Sequence, residues 1–202
     1  MTPSRIAAMS SFCVGSLILA GCGQGGGAGE PAKTVPSTTQ ASVAVSVSPA
    51  PTQPSNARKP VRYDPCFEIG DTTVVKAGFD PKTRERVDQV HDDYAFLSCS
   101  FDRKQDVRGR SLRVGSLTVS STNITLDEFR QREGAAATNT KVNGRDAITY
   151  RRSAEEACYV VMNGPDGTVD VRVSSAAALS EWNACDHAQE IAAIIESTTP
   201  TK

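Results

Sequence analysis

Aromatic residues are scarce, at 5% of 202 positions, and tryptophan occurs once, at Trp182. Surfaces that bind carbohydrate or stack nucleic-acid bases are built from several rings, so neither platform is expected. Charge of one sign is equally short: 22 basic residues face 23 acidic ones, a formal net charge of −1. With no global field to attract polyanions, nucleic acid is not expected as a partner. Histidine is limited to His91 and His187, and no G-x-S-x-G elbow, G-x-x-x-x-G-K-[ST] loop or H-E-x-x-H pair occurs. Those gaps remove the commonest acyl-transfer, phosphate-binding and zinc-protease templates. No catalytic residue, resident metal or cofactor is assigned, and an enzyme is not expected.

What is present begins with an export signal. Arg5 and the terminal amine form a short positive region, and Ile6 to Ala20 is mostly apolar but broken by Ser10, Ser11 and Ser16. The run has signal-peptide length and is too short to span a membrane comfortably. It ends in Leu19-Ala20-Gly21-Cys22, which resembles a bacterial lipobox. The resemblance implies that residues 1–21 are removed and that the Cys22 thiol carries a diacylglyceryl thioether. Each buried acyl carbon contributes ~0.8 kcal/mol, so two or three chains anchor a protein firmly where one does not. The expected location is the extracytoplasmic face of the cell membrane. Gly21-Cys22-Gly23-Gln24-Gly25-Gly26 also matches the dinucleotide pattern G-x-G-x-x-G, but no strand precedes it and no helix follows, so the phosphate-binding geometry is missing.

Residues 22–60 are rich in Gly, Ala, Pro, Ser and Thr, with prolines at 31, 36, 49, 51, 54 and 60. Such a stretch buries too little apolar surface to offset chain entropy and is expected to be a disordered tether. Val43, Val45 and Val47 alternate as in a strand, but with nothing evident to pair with. The folded domain is expected over 61–202.

Four cysteines remain there, Cys66, Cys99, Cys158 and Cys185. In an oxidising compartment they form two bridges, with three formal pairings. Cys66–Cys99 and Cys158–Cys185 are expected, because each ties a helix to a strand within its own half of the domain. A four-cysteine zinc site is disfavoured, since zinc knuckles bring thiolates in close C-x-x-C pairs.

Local signals predict an α+β domain: a twisted antiparallel sheet with helices packed on one side. Asp64-Pro65 starts a helix that runs to about residue 76 and stops at Gly78. Strands are predicted over 94–101 and 112–120, joined by a charged turn, 102–110. Thr125 and Glu128 form a capping box for a helix over 126–133. Three strands follow, 145–152, 157–163 and 168–174, the first after an Asn143-Gly144 turn and the last two joined at 164–167. A helix capped by Ser180 and ending near Glu196 carries Trp182, Cys185, Ala188, Ile191, Ala192 and Ile195 on one face.

The lipobox, Asp64-Pro65-Cys66, Cys99-Ser100 with a following aromatic, Gly144 with Ala147, Cys158 in a valine-rich strand and Cys185 before an alanine-rich helix resemble, in this order, the actinobacterial secreted lipoproteins of the LprB and LprC type. Phe101 stands where that family suggests tryptophan. The resemblance implies a PsbP-like α+β sandwich and brings no catalytic residues.

Candidate site residues are few. His91-Asp92-Asp93 and Asp186-His187 would make an acid/base or metal site only if the fold joined them. Arg103, Lys104, Arg108, Arg110 and Arg113 form a basic turn that is either an anion contact or a solvated edge guard. Tyr159 and Trp182 are candidates for a pocket wall, with Trp182 expected in the core. Asn123-Ile124-Thr125 fits a glycosylation pattern but reads better as a strand end and helix cap. The leading expectation is a non-enzymatic envelope module that binds a protein or lipid-like ligand. An envelope hydrolase or metal protein using His91 or His187 is one alternative, and an accessory subunit of a secretion or transport assembly is the other.

Overall fold

Apolar and polar residues alternate along the central strands, most clearly over Thr168–Ser175, and this alternation gives one sheet a core face and a second, different face. The computed structural model describes residues 41–201. It opens with two short helices, α1 (Pro65–Glu68) and α2 (Asp71–Lys76), where one continuous helix is predicted. The break falls at Ile69 and Gly70, both extended, because glycine and a β-branched run hold a helix poorly. Next come strands β1 (Asp80–Arg86), β2 (Gln89–Val90), β3 (Ala95–Val107) and β4 (Arg110–Thr122), then α3 (Leu126–Glu133). Four further strands, β5 (Thr138–Val142), β6 (Arg145–Arg152), β7 (Ala157–Asn163) and β8 (Thr168–Ser175), precede the last helix, α4 (Ala184–Glu196).

All pairings are antiparallel, in the order β1-β3-β4-β8-β7-β6-β5, with β2 also pairing β3. The class is the expected one, α+β with an antiparallel sheet and two disulfides. β1, β2 and β5 are additions. They are polar strands at the sheet margins, so their sequences carry no hydrophobic alternation to announce them. The charged turn predicted over 102–110 is mostly strand. Its reversal takes only Arg108 and Gly109, both at positive φ (55° and 77°), the backbone a two-residue hairpin turn requires. α4 starts later than predicted: Asn183, not Ser180, accepts from the Cys185 amide as its cap.

On the core face, Val169, Val171 and Val173 of β8 lie beside Cys158, Val160 and Met162 of β7 and Leu117 and Val119 of β4. α4 covers them with Ala188, Ile191, Ala192 and Ile195, the break after α1 adds Ile69, and α2 adds Val74. Each fully buried aliphatic side chain contributes ~1.5–3 kcal/mol. Cys66–Cys99 staples α1 to β3, and Cys158–Cys185 staples β7 to α4. α3 lies on the opposite face, where Leu126 and Phe129 pack on Ile148, Tyr150, Tyr159 and Val161. It covers the β6–β7 end and leaves the rest of that face open.

Residues 41–60 fall in the expected tether, yet they run along the domain as a strap. Ser42 O accepts from Asp71 N, and Ala44 N donates to the Asp71 carboxylate. Arg86 Nε donates to Ser48 O, and the Gln53 side chain bonds both backbone groups of Val61. Arg58 reaches Asn123 O and the Glu128 carboxylate, while the buried Asn123 side chain donates to Lys59 O and accepts from Ala95 N. The Val43-Val45-Val47 alternation is real, with these residues half-buried and Val47 against the core, although they have no strand partner among the described residues. Side-chain hydrogen bonds take the place of a ladder. Cys22, the signal segment 1–21 and tether residues up to 40 lie outside the described residues. No helix among the described residues is long and apolar enough to cross a membrane.

Candidate ligand-binding groove

Strand register arranges the open face in cross-strand rows. One row reads Ser98, Ser120, Asp170, Val161, Ile148 across β3, β4, β8, β7 and β6. The next reads Ser100, Thr118, Arg172, Tyr159, Tyr150. Side chains two apart on a strand share a face, so the floor is hydroxyl-rich on the β3–β4 side and aromatic on the β6–β7 side. Tyr94 and Phe96, edge to face at 5.9 Å, stand at the margin. The space enclosed is a groove of about 610 Å³, walled by Arg132 of α3, Arg152 and Glu155.

The floor carries a dense set of charges and phenols. Tyr150 and Tyr159 stack at 4.6 Å, with the Arg152 guanidinium over both rings. Glu155 accepts from the Tyr159 hydroxyl at 2.5 Å and from Arg172 Nη2 at 3.1 Å. Glu133 accepts from Arg132 Nε at 2.8 Å and Arg152 Nη2 at 3.1 Å. Burial, together with the hydrogen bond to Glu155, pushes the Tyr159 phenol up to about 12. Burial also raises Tyr150, helped by the charge of Asp170.

Asp170 is the anomaly. It is 9% exposed, and its Oδ1 is buried with no hydrogen-bond partner among the described residues. Two residues on, the buried Nε of Arg172 also lacks one. Burial lifts the Asp170 carboxyl to about 7, although Arg132, Arg152 and Arg172 pull it down. Buried polar atoms are nearly always paired in folded proteins, and a buried, strongly shifted carboxyl in a cleft is a functional-site candidate.

A model of the family described as "Protein of unknown function (DUF3558)" matches residues 17–198. The chain belongs to this family. No curated protein and no solved structure matches it significantly. In this DUF3558 protein the match spans every helix and strand described above, and with them the whole groove.

The residues singled out from sequence fall elsewhere, with two exceptions. His91 is exposed and rests on Tyr94 at 4.5 Å, on the α3 side. His187 stacks on Trp182 at 5.6 Å, on the α4 side. The fold does not join them, and among the described residues no three His, Cys, Asp or Glu side chains gather as metal ligands. The basic cluster is largely internally paired: Arg103 lies over Trp182 and donates to Gly78 O, Lys104 meets Asp80, and Arg113 meets Asp102. Trp182 packs half-buried against the core just before α4 begins. Tyr159, in the groove floor, and Arg113, at its rim, are the exceptions. The low aromatic content also misleads, because three of the four tyrosines line this one groove. The signal for Asp170 and Arg172 was their alternation with three valines on β8, which by itself describes any solvated strand face.

Proposed function

We propose that this protein is a lipid-anchored extracytoplasmic binding module that holds a polar ligand in the groove on the open face of its sheet. The observation that carries this reading is the unpartnered, buried Asp170 carboxyl at the groove floor, two residues from the unpartnered Arg172 Nε. The lipobox ending at Cys22 supports the anchor, and the order of the cysteine motifs supports placement among LprB/LprC-type lipoproteins with a PsbP-like sandwich. Catalysis has less support, because neither histidine lines the groove. Docking through an apolar patch has less as well: the exposed large hydrophobic residues Val75, Val87 and Leu179 sit on separate segments.

Native mass spectrometry of the full chain extracted from membranes tests the reading. The expected result is an acylated Cys22 at the N-terminus and a noncovalent small molecule that is lost when Ser120→Trp fills the groove. A chain that keeps Met1, carries no acyl group and never retains a molecule overturns it.

A further inference from the structure

We infer that the groove takes an anionic, hydroxyl-rich ligand of the sugar-acid or sugar-phosphate class, with its anionic group on the guanidiniums of Arg132, Arg152 and Arg172 and one of its hydroxyls on the Asp170 carboxylate. This rests on the reading of the groove as a ligand site and adds the chemistry of what fills it.

The charge pattern carries the argument. Three guanidiniums share two carboxylates: Glu133 binds Arg132 and Arg152, and Glu155 binds Arg152 and Arg172. The third carboxylate, Asp170, feels all three arginines, yet its Oδ1 accepts no hydrogen bond and Arg172 Nε donates none. Each such buried atom costs about 1–3 kcal/mol when left unpaired. An acceptor without a donor and a donor without an acceptor therefore stand two residues apart on one face of β8. A molecule presenting an anionic oxygen and a hydroxyl a few bonds apart answers both.

The surroundings exclude the other ligand classes. An acyl chain over this floor would bury the hydroxyls of Ser100, Thr118 and Ser120 against hydrocarbon without new partners. A cation would meet three guanidiniums. A bare inorganic anion leaves Asp170 without a donor, and a neutral sugar brings no anionic oxygen to the guanidinium N–H groups. Hydroxyls on the ligand also match the floor, where the Ser98 and Ser120 hydroxyls already bond at 2.8 Å and can extend that chain. Planar guanidiniums bind carboxylate or phosphate in bidentate fashion.

The test is titration calorimetry on the full chain in phosphatidylcholine nanodiscs, with glucose 6-phosphate, glucuronic acid, glucose and inorganic phosphate as probes. At least one of the first two is expected to bind about tenfold or more tightly than glucose and than phosphate. Arg152→Gln and Asp170→Val should each cost about tenfold or more in that affinity, as loss of a charged hydrogen bond implies. Circular dichroism confirms folding of each variant, and Arg130→Gln, outside the groove and paired to Asp127, checks that losing any arginine is not enough. Equal binding of glucose, equal binding of phosphate, or no binding of any probe overturns the inference. If a molecule is nonetheless recovered with the native chain and lost in Ser120→Trp, the ligand-site reading survives and only the chemical class falls. Repeating the titration in nanodiscs containing phosphatidylglycerol separates two sources of the same chemistry. Competition by that lipid assigns a membrane headgroup, and an unchanged affinity assigns a soluble compound.

Discussion

Replacing Asp170 with asparagine is expected to stabilise the protein in a way that depends on pH. Burial raises the Asp170 carboxyl from its ordinary 3.8 to about 7, so ionising it costs about 4 kcal/mol more in the folded chain than in the unfolded one. The folded value lies above the unfolded one. Stability is therefore complete below about pH 4, where both states hold the proton, and falls as pH rises to about 7 before levelling. Asparagine keeps the shape and cannot ionise. Asp170→Asn should match the wild type near about pH 4, exceed it by ~2 kcal/mol at about pH 5 and by ~4 kcal/mol at about pH 8. In a chain of this size the last figure corresponds to a Tm higher by about 10 °C. Urea unfolding at the three pH values, with the slope m unchanged between the two proteins, measures the difference directly. A variant less stable than wild type at the alkaline end, or a gain independent of pH, would falsify the picture of an uncompensated buried carboxyl.

Removing the Cys66–Cys99 or Cys158–Cys185 bridge by paired Cys→Ala changes should each cost about 3.5 kcal/mol, because the loops they close, 33 and 27 residues in separation, constrain the unfolded chain; calorimetric melting of the two variants checks this. Thr125→Ala removes the α3 cap, whose hydroxyl accepts from the Glu128 amide, and should cost about 1 kcal/mol by circular dichroism. The strap gives a proteolytic prediction. Trypsin should spare the bond after Arg58 in the wild type and cut it rapidly in Asn123→Ala, which loses the clasp on Lys59 O; equal cutting in both proteins counts against the strap.

Much of this architecture was legible where one physical signal acts alone. The Thr125–Glu128 box sets the bounds of α3. Valines at 169, 171 and 173 place β8 and its core face, and Asn143-Gly144, at positive φ, marks the β5–β6 reversal. Illegible were the elements whose stability comes from distant partners. β1 is a run of mostly polar residues held by pairing to β3, and Arg84 within it is buried because Cys66, Ile69 and Asp71 receive its guanidinium. The strap has tether composition and is held by Asn123, Asp71 and Arg86, all remote in sequence. The groove was hidden for a related reason. Serines and threonines opposite valines look like ordinary solvated strand residues, and only the seating of α3 and the Arg152–Glu155 segment beside them turns that face into a cleft.

The strap has a mechanical consequence. Any pull transmitted from the N-terminal side arrives first at Ser42 and Ala44 on Asp71, then at Ser48 on Arg86, then at Gln53, and next at Arg58 and Lys59 on Asn123. These links open one after another, as a zip does, so drag on the chain dissipates in small successive steps. After the Arg62 and Tyr63 amides on Asp166, the load reaches residue 66, where it meets a covalent bond to the sheet.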